Sequence, residues 1–371
     1  MRRLPAPLPY RDARALAATP HVVVDGASDE ASVLCLSHWP ASPTPRRLWR
    51  DLSAEIALEY LNRPRYWRHG AVAVTNDHLD EDGLCALFAL VEPSAAERTA
   101  PLLVDVARAG DFAVAPSDAA RSIVLALHAL FDPERSVLAP GASLDERDPM
   151  AWAAHCYAEG LARLPELLEH PDRFASWGAE ESGVVARDEE FLDRHCDLRE
   201  DAELDLAVFV SSSEPDHEPV ALGHSLELPL HPLALHHRTS RARILLALGS
   251  RVCYYDRYET WVRYMSERHA LRRDLAPLAE ELSADEPGGI SWTADAPGAL
   301  VPVLRPTGGH SGLGHRELEA KLRDYLRRAP ASWNPYAASI DAVRTSGREA
   351  PRGGTTGRGP FRSRGPRPRA R

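Results

Sequence analysis

The sequence predicts an α/β fold, with a mainly parallel sheet flanked by helices and a second, smaller α/β domain. Two observations carry that expectation. From residue 32 onward, short apolar or β-branched runs alternate with stretches whose apolar residues recur every three or four positions, and that order favours a parallel sheet with helices on its faces. Further along, residues 204–211, 244–248 and 252–255 form a second group of β-leaning runs, and a chain of 371 residues has room for two domains.

Taken in order, residues 1–20 are rich in Pro and Arg and read as an extended lead-in. Residues 21–25 and 32–38 read as two strands with a turn between them, and His38-Trp39-Pro40 opens a proline-stiffened loop. Residues 47–62 carry Leu48, Leu52, Ile56, Tyr60 and Leu61 at helical spacing. A strand at 71–74, a helix from Gly83 to Leu90 and a third apolar run at 101–105, ending in Asp105, complete the expected N-terminal α/β domain, which runs to residue 180. Residues 119–130 and 152–168 are helical by period. The charged stretch 181–203 reads as a helix or linker, and 204–333 as the C-terminal domain, with a β pair around Gly249-Ser250 and a closing helix over 318–326. Repeated Arg-Gly and Arg-Pro steps over 334–371 predict a disordered tail.

Charge and cysteine usage narrow the function classes. The net charge is −10, but residues 341–371 carry nine Arg against Asp341 and Glu349, so the tail is +7 and the remainder −17. An acidic body disfavours binding to long nucleic acids, which depends on neutralising phosphates with Lys and Arg. The five cysteines are scattered without a C-x-x-C pair, which argues against a disulfide framework and a zinc site. No apolar run reaches the roughly 18–20 residues of a membrane span, and prolines interrupt the amino terminus where a signal peptide would be apolar, so a cytoplasmic protein is expected. Oligomeric state is not legible.

The densest chemistry lies where the 71–74 strand stops. Asp77, His78, Asp80, Glu81 and Asp82 crowd the loop before Gly83, at the carboxyl end of a strand and the amino end of a helix, where open α/β sheets bind ligands. In an extended loop, His78, Asp80 and Asp82 share one side, and carboxylates plus an imidazole suit Mn²⁺ or Mg²⁺. The simpler account is an acidic turn in which Asp82 caps the following helix. His38 ends its own strand and converges on this loop if the strands are parallel neighbours, and Asp105 and Asp111 fall in the next expected strand-end loop. His231, His236 and His237 are further possible ligands. Tyr254, Tyr255, Tyr258, Trp261 and Tyr264, interleaved with Arg251, Arg257 and Arg263, are suited to stacking a base, or to packing as a strand and amphipathic helix.

His78-x-Asp80-x-Asp82-Gly83 after an apolar strand resembles the first motif of the DHH phosphoesterases, and Gly308-Gly309-His310 is similar to the glycine-rich substrate motif of that family's second domain. The Asp-His-His run of the family has no counterpart, the nearest being His236-His237. The chain also looks like uncharacterised bacterial proteins with a His-Trp-Pro loop and an Asn-x-His-x-Asp-x-Asp-Gly loop. The first resemblance implies a metal-dependent phosphoesterase in which His78, Asp80 and Asp82 are catalytic and, with Asp105, hold Mn²⁺ or Mg²⁺. It implies that Gly308, Gly309 and His310, joined by Arg305, hold a small phosphate-containing substrate. The alternative expectation is a non-catalytic protein of the same architecture acting in ligand binding or protein interaction.

Overall fold

The first two strands pair in parallel, and that places the site. In the computed structural model, which describes residues 3–67, 70–133, 136–137, 148–218, 220–222 and 226–338, β1 (His21–Val24) and β2 (Ser32–Leu36) are joined by the loop 25–31, which carries the chain back along the sheet. Helix α1 (Ser53–Leu61) leads into β3 (Ala73–Thr75), which pairs in parallel with the other side of β1, giving the order β2-β1-β3. The carboxyl ends of all three strands therefore reach one edge of the sheet. Helices α2 (Glu81–Val91), α3 (Pro93–Phe112), α4 (Asp118–Phe131) and α5 (Pro149–Glu169) complete this half.

The strand expected at 101–105 is instead the middle of α3. Its four consecutive apolar or half-apolar positions imitate a strand, but Ala96, Leu103, Val106, Ala107 and Phe112 are buried at helical spacing along the whole segment. Pro93 opens α3 at its first turn, where a missing N–H costs nothing.

The second half begins with α6 (Ala179–His195) and β4 (Asp197–Asp201), so the charged stretch read as a helix or linker is a helix followed by an exposed edge strand. There follow β5 (Leu206–Ser211), β6 (Val220–Leu222), β7 (Leu226–Leu228), α7 (Pro232–His236), β8 (Arg243–Leu248), β9 (Arg251–Asp256), β10 (Arg272–Arg273), α8 (Ala276–Asp285), β11 (Trp292–Ala294), β12 (Val303–Pro306), α9 (His315–Arg328) and β13 (Ala331–Trp333). A six-stranded sheet runs β11-β12-β9-β8-β5-β4, parallel only between β5 and β8. Both faces are covered. Ile244, Leu246 and Leu248 of β8 pack with Val185, Leu192 and Leu233 from α6 and α7, whereas Leu245 packs with Leu278, Leu318 and Leu322 from α8 and α9. Coverage on both sides is why residues 244–248 read as one continuous apolar run. Gly249 takes φ +59 in the turn between β8 and β9.

The two halves share a core. Trp261, Val262 and Trp333 belong to the same apolar cluster as Val22, Val74 and Leu84, and Trp261 stacks on Trp333 at 6.2 Å between ring centroids. The Arg263 N–H donates to the His38 carbonyl at 3.1 Å. Among the described residues no helix is long and apolar enough to cross a membrane. The disordered tail expected over 334–371 lies, beyond residue 338, outside the described residues.

Helix α6 is tied to the chain before β6 and to α7 by one carboxylate: Asp188 accepts the His231 N–H at 2.6 Å through Oδ2 and meets His217 Nε2 at 2.6 Å through Oδ1. The hydrogen bond to Asp188 raises the His217 pKa above its usual value. A raised folded-state pKa gives stability that is complete below the unfolded value of about 6.5 and is lost as pH rises through the folded one. Urea midpoints of the wild type should therefore fall between pH 6 and 8 more steeply than those of His217→Gln; parallel slopes would remove this contribution.

Candidate functional site

Asp25 is the first residue beyond β1 and sits in the left-handed region at φ +44, a conformation that costs a non-glycine residue of order 1 kcal/mol or more and clusters at functional sites. Its carboxylate is 1% exposed. Ser53 Oγ donates to Asp25 Oδ1 at 2.7 Å, and Asn76 Nδ2 donates to the Asp25 carbonyl at 3.2 Å, so α1 and the end of β3 both hold this residue.

His38 follows β2 and is fully enclosed. Its Nδ1 lies 2.5 Å from the Asp51 carbonyl, which cannot donate, so Nδ1 carries the proton and Nε2 presents a lone pair. That lone pair faces Asp25 Oδ1 at 3.4 Å, Asp111 Oδ2 at 3.5 Å and Asp82 Oδ2 at 3.9 Å. Burial lowers the His38 pKa, which keeps the ring neutral. Burial, then the charges of Asp25 and Asp80, push Asp82 well above the usual carboxylate range; burial, then Asp82 and Asp80, do the same to Asp111.

His78 and Asp80 form a second group on the more open side. Asp80 is the N-cap of α2: its Oδ1 accepts the Gly83 N–H at 2.7 Å, and its Oδ2 lies 2.6 Å from His78 Nε2. His78 Nε2 is also 3.4 Å from Asp25 Oδ2, and Nδ1 is 3.0 Å from Asp77 Oδ1. Burial opposes a charge on this imidazole, yet Asp80, with the neighbouring carboxylates of Asp25 and Asp77, carries its pKa well above the usual value, and His78 holds Asp80 low despite burial. An imidazolium thus lies among three carboxylates.

The loop is therefore not one extended row. Asp80 caps α2 and Asp82 occupies its first turn, where it accepts the Ser53 and Ala54 N–H groups at 2.7 Å from the start of α1. The capping account is thus corrected: the cap of the following helix is Asp80, and Asp82, expected in that role, accepts at the start of α1 instead. Two sets of ligand-type atoms each lie within 4.8 Å of one another, Asp25 with His38 and Asp82, and Asp25 with His78 and Asp80. Asp25 belongs to both. Among the described residues, Asp25 Oδ2, His38 Nε2 and Asp111 Oδ2 are buried and make no hydrogen bond, Asp25 Oδ2 lying 3.4 Å from His78 Nε2.

Several expected positions are elsewhere. Asp105 lies on α3 six residues before Asp111, which at 3.6 residues per turn points it about 120° away from the cluster. Gly308 and Gly309, at φ +81 and +79, form the turn after β12, and His310 bridges to Arg251 at the opposite end of β9 from Tyr258. Tyr258 meets the His38 ring edge-on, at 5.9 Å between centroids. The five residue steps of β9 put the Gly-Gly-His turn about 17 Å or more from that end, too far for a clamp on the cluster. His310 Nδ1 bonds Ser250 Oγ at 2.7 Å, and Arg305 lies within β12, paired with Thr293. His231 and His236 are held by Glu181 and by the Phe112 carbonyl and Tyr255, respectively, as buried structural histidines are. Of the aromatic series, Tyr254 and Tyr255 are core residues of β9, and Trp261 is fully buried.

Asp25 and Asp111 escaped sequence reasoning as ligand candidates. Asp25 had a usable signal, related to the one that marks Asp77 and His78: an ionisable residue just beyond a buried strand, here followed by Gly26.

Tyr157 of α5 braces the loop by donating to the His78 carbonyl at 2.6 Å and accepting the Asp80 N–H at 3.2 Å. A Cβ on Gly83 would collide with Asn76 Nδ2, with Tyr157 Oη and with Asp80 Oδ1, all of which orient the cluster. Gly83→Ala is expected to cost about 1–3 kcal/mol in chemical denaturation, the range for overpacking a filled site. A neutral outcome would mean that this brace is slack.

The chain belongs to a family of unknown function (DUF6687), whose model matches residues 6–337. No curated protein and no solved structure matches it.

Proposed function

We propose that this member of the family is a metal-dependent hydrolase of a small phosphoester, using two cations at the strand ends. The observation that carries the reading is the convergence of two buried ligand atoms that make no hydrogen bond among the described residues, His38 Nε2 and Asp111 Oδ2, with the buried carboxylates of Asp25 and Asp82. Lone pairs from an imidazole and carboxylates repel one another unless a cation or proton lies between them. Ligands bound to one ion at about 2.1 Å lie roughly 3.0–3.4 Å apart, so separations of 3.4, 3.5 and 3.9 Å around His38 Nε2 contract only slightly on loading. Imidazole nitrogen among carboxylates favours Mn²⁺ over Mg²⁺.

His38, Asp82, Asp111 and Asp25 Oδ1 would hold the inner ion; His78, Asp80 and Asp25 Oδ2 would hold the outer one. Bound ions supply a lowered water pKa and charge neutralisation at the phosphoryl oxygens. The chain's own groups orient this chemistry. The Asp51 carbonyl fixes the His38 tautomer, and the α1 amino terminus fixes both oxygens of Asp82. His78, with 27% of its side chain exposed, faces the approach of substrate. Burial and then the charge of Asp111 hold the Tyr258 phenol well above its usual pKa, so it stays a proton donor above the cluster. The likeness of His78-x-Asp80-x-Asp82-Gly83 to the DHH phosphoesterase motif supports the same chemistry.

The test is metal content and turnover together. Protein purified without chelator should carry Mn, Fe or Zn, and Mn²⁺ should restore hydrolysis of bis(p-nitrophenyl) phosphate to chelated protein. Absence of both metal uptake and hydrolysis overturns the reading; uptake without hydrolysis points to a non-catalytic, ligand-binding protein.

A further inference from the structure

The cavity that opens beyond the last turn of α3, about 380 Å³ in volume, has no part in the cluster. We infer that it is a binding site for the phosphate group of a small molecule, formed by Arg108, His237 and Ser240 against a wall of Phe112 and Tyr264. Its size falls in the range of small-ligand sites, roughly 300–1,000 Å³.

The cationic groups in its lining divide into two kinds. Arg257 is consumed by Glu259 and by the Thr239 and Phe112 carbonyls, and Arg238 is paired with Asp193 at 2.7 Å. These hold the cavity's shape. Arg108, in contrast, makes only a 3.6 Å ion pair with Glu55, and among the described residues no hydrogen bond is made by its guanidinium, by the His237 ring or by the Ser240 hydroxyl. A guanidinium with free N–H groups, an imidazole and a hydroxyl lining one space are the donors that suit a phosphate, which accepts several hydrogen bonds at once. Glu259 is neutralised by Arg257, and Glu267 is the remaining acidic group in the lining.

The wall supplies the second half of the site. Tyr264, partly exposed, meets the buried Phe112 edge to face at 5.3 Å and offers its ring toward the cavity for a ring attached to the phosphate. Its position relative to the cluster is fixed by α3. Arg108 precedes Asp111 by three residues, one turn, and the Phe112 ring lies 6.4 Å from the His38 ring. Phosphate binding here stands independently of the hydrolase reading; if that reading also holds, the cavity receives a second phosphate of the substrate, or the product.

The test is run without metal, so that the two readings fail separately. Binding of inorganic phosphate and of adenosine monophosphate to the full chain in excess chelator is measured by calorimetry, for the wild type, Arg108→Ala, His237→Ala and, at the far end of β9, His310→Ala. Saturable binding of either probe, weakened about tenfold or more by Arg108→Ala, several-fold by His237→Ala and unchanged by His310→Ala, is the expected result. Tighter binding of the nucleotide than of phosphate brings the aromatic wall into the site. No binding by the wild type, or binding indifferent to both Arg108→Ala and His237→Ala, overturns the proposal. Both substituted side chains are partly or well exposed, and matching thermal melts confirm folding.

Discussion

Asp25→Asn is expected to reverse its effect on stability when metal is added. Without metal, the substitution removes one charge from a group that includes Asp80, Asp82 and Asp111, while an amide oxygen can still accept from Ser53 Oγ, so the melting temperature should hold or rise. With Mn²⁺ at about 100 times its dissociation constant, the wild type gains about 2.7 kcal/mol per site, and the variant, which has lost the carboxylate common to both groups, gains little. Hydrolysis should fall about 10³-fold or more, because ions that stabilise several kcal/mol of transition-state charge are no longer held. Melting curves with and without Mn²⁺, beside a rate assay, check both parts. If the variant is destabilised equally in both conditions, Asp25 is a structural residue and the shared-ligand account fails.

The second large effect concerns Arg272, fully buried within the second half. Its Nε donates to Thr260 Oγ1 at 2.6 Å, and its terminal nitrogens donate to the carbonyls of Arg257, Pro297, Ala299 and Leu300. Burial lowers its pKa to about 10, so the charge is costly and only the array of acceptors makes it tolerable. Arg272→Ala should destabilise the fold by about 3–5 kcal/mol, since it orphans those carbonyls and leaves a cavity. Arg272→Lys should recover less than half, because an ammonium cannot span a planar fan of acceptors. Urea unfolding measures both; a loss below about 1 kcal/mol for the alanine variant would show that water replaces the guanidinium.

The α/β class was legible because hydrophobic period is a local property. Residues 71–90 declare a strand end, a charged turn and a helix without any tertiary information, and 244–255 declare two strands about Gly249. What failed was non-local. Asp25 alone is one carboxylate in an apparent turn, and its meaning comes from the parallel pairing of β1 with β2 and β3, which puts His38 and His78 beside it. Asp111 was placed in a loop after a strand that does not exist; it reaches the cluster from the end of a long helix, and Asp105 fails for the same reason, on the wrong face. Gly308-Gly309-His310 has the composition of a phosphate loop, but its two positive φ values serve a tight turn at the far end of β9. Short motifs carry composition, and the sheet decides location.

The contact between Trp39 and His78, with centroids 5.0 Å apart, makes the outer half of the cluster visible to light. A protonated imidazole quenches indole emission on contact, and a neutral, ion-bound one does so far less. Loading the outer site should therefore brighten Trp39, whereas Trp49, covered by Arg263 at 4.4 Å, keeps its surroundings. On the proposed two-cation reading, Trp39 would serve as the chain's own indicator of occupancy, readable by stopped flow without a dye, a label or a turnover assay.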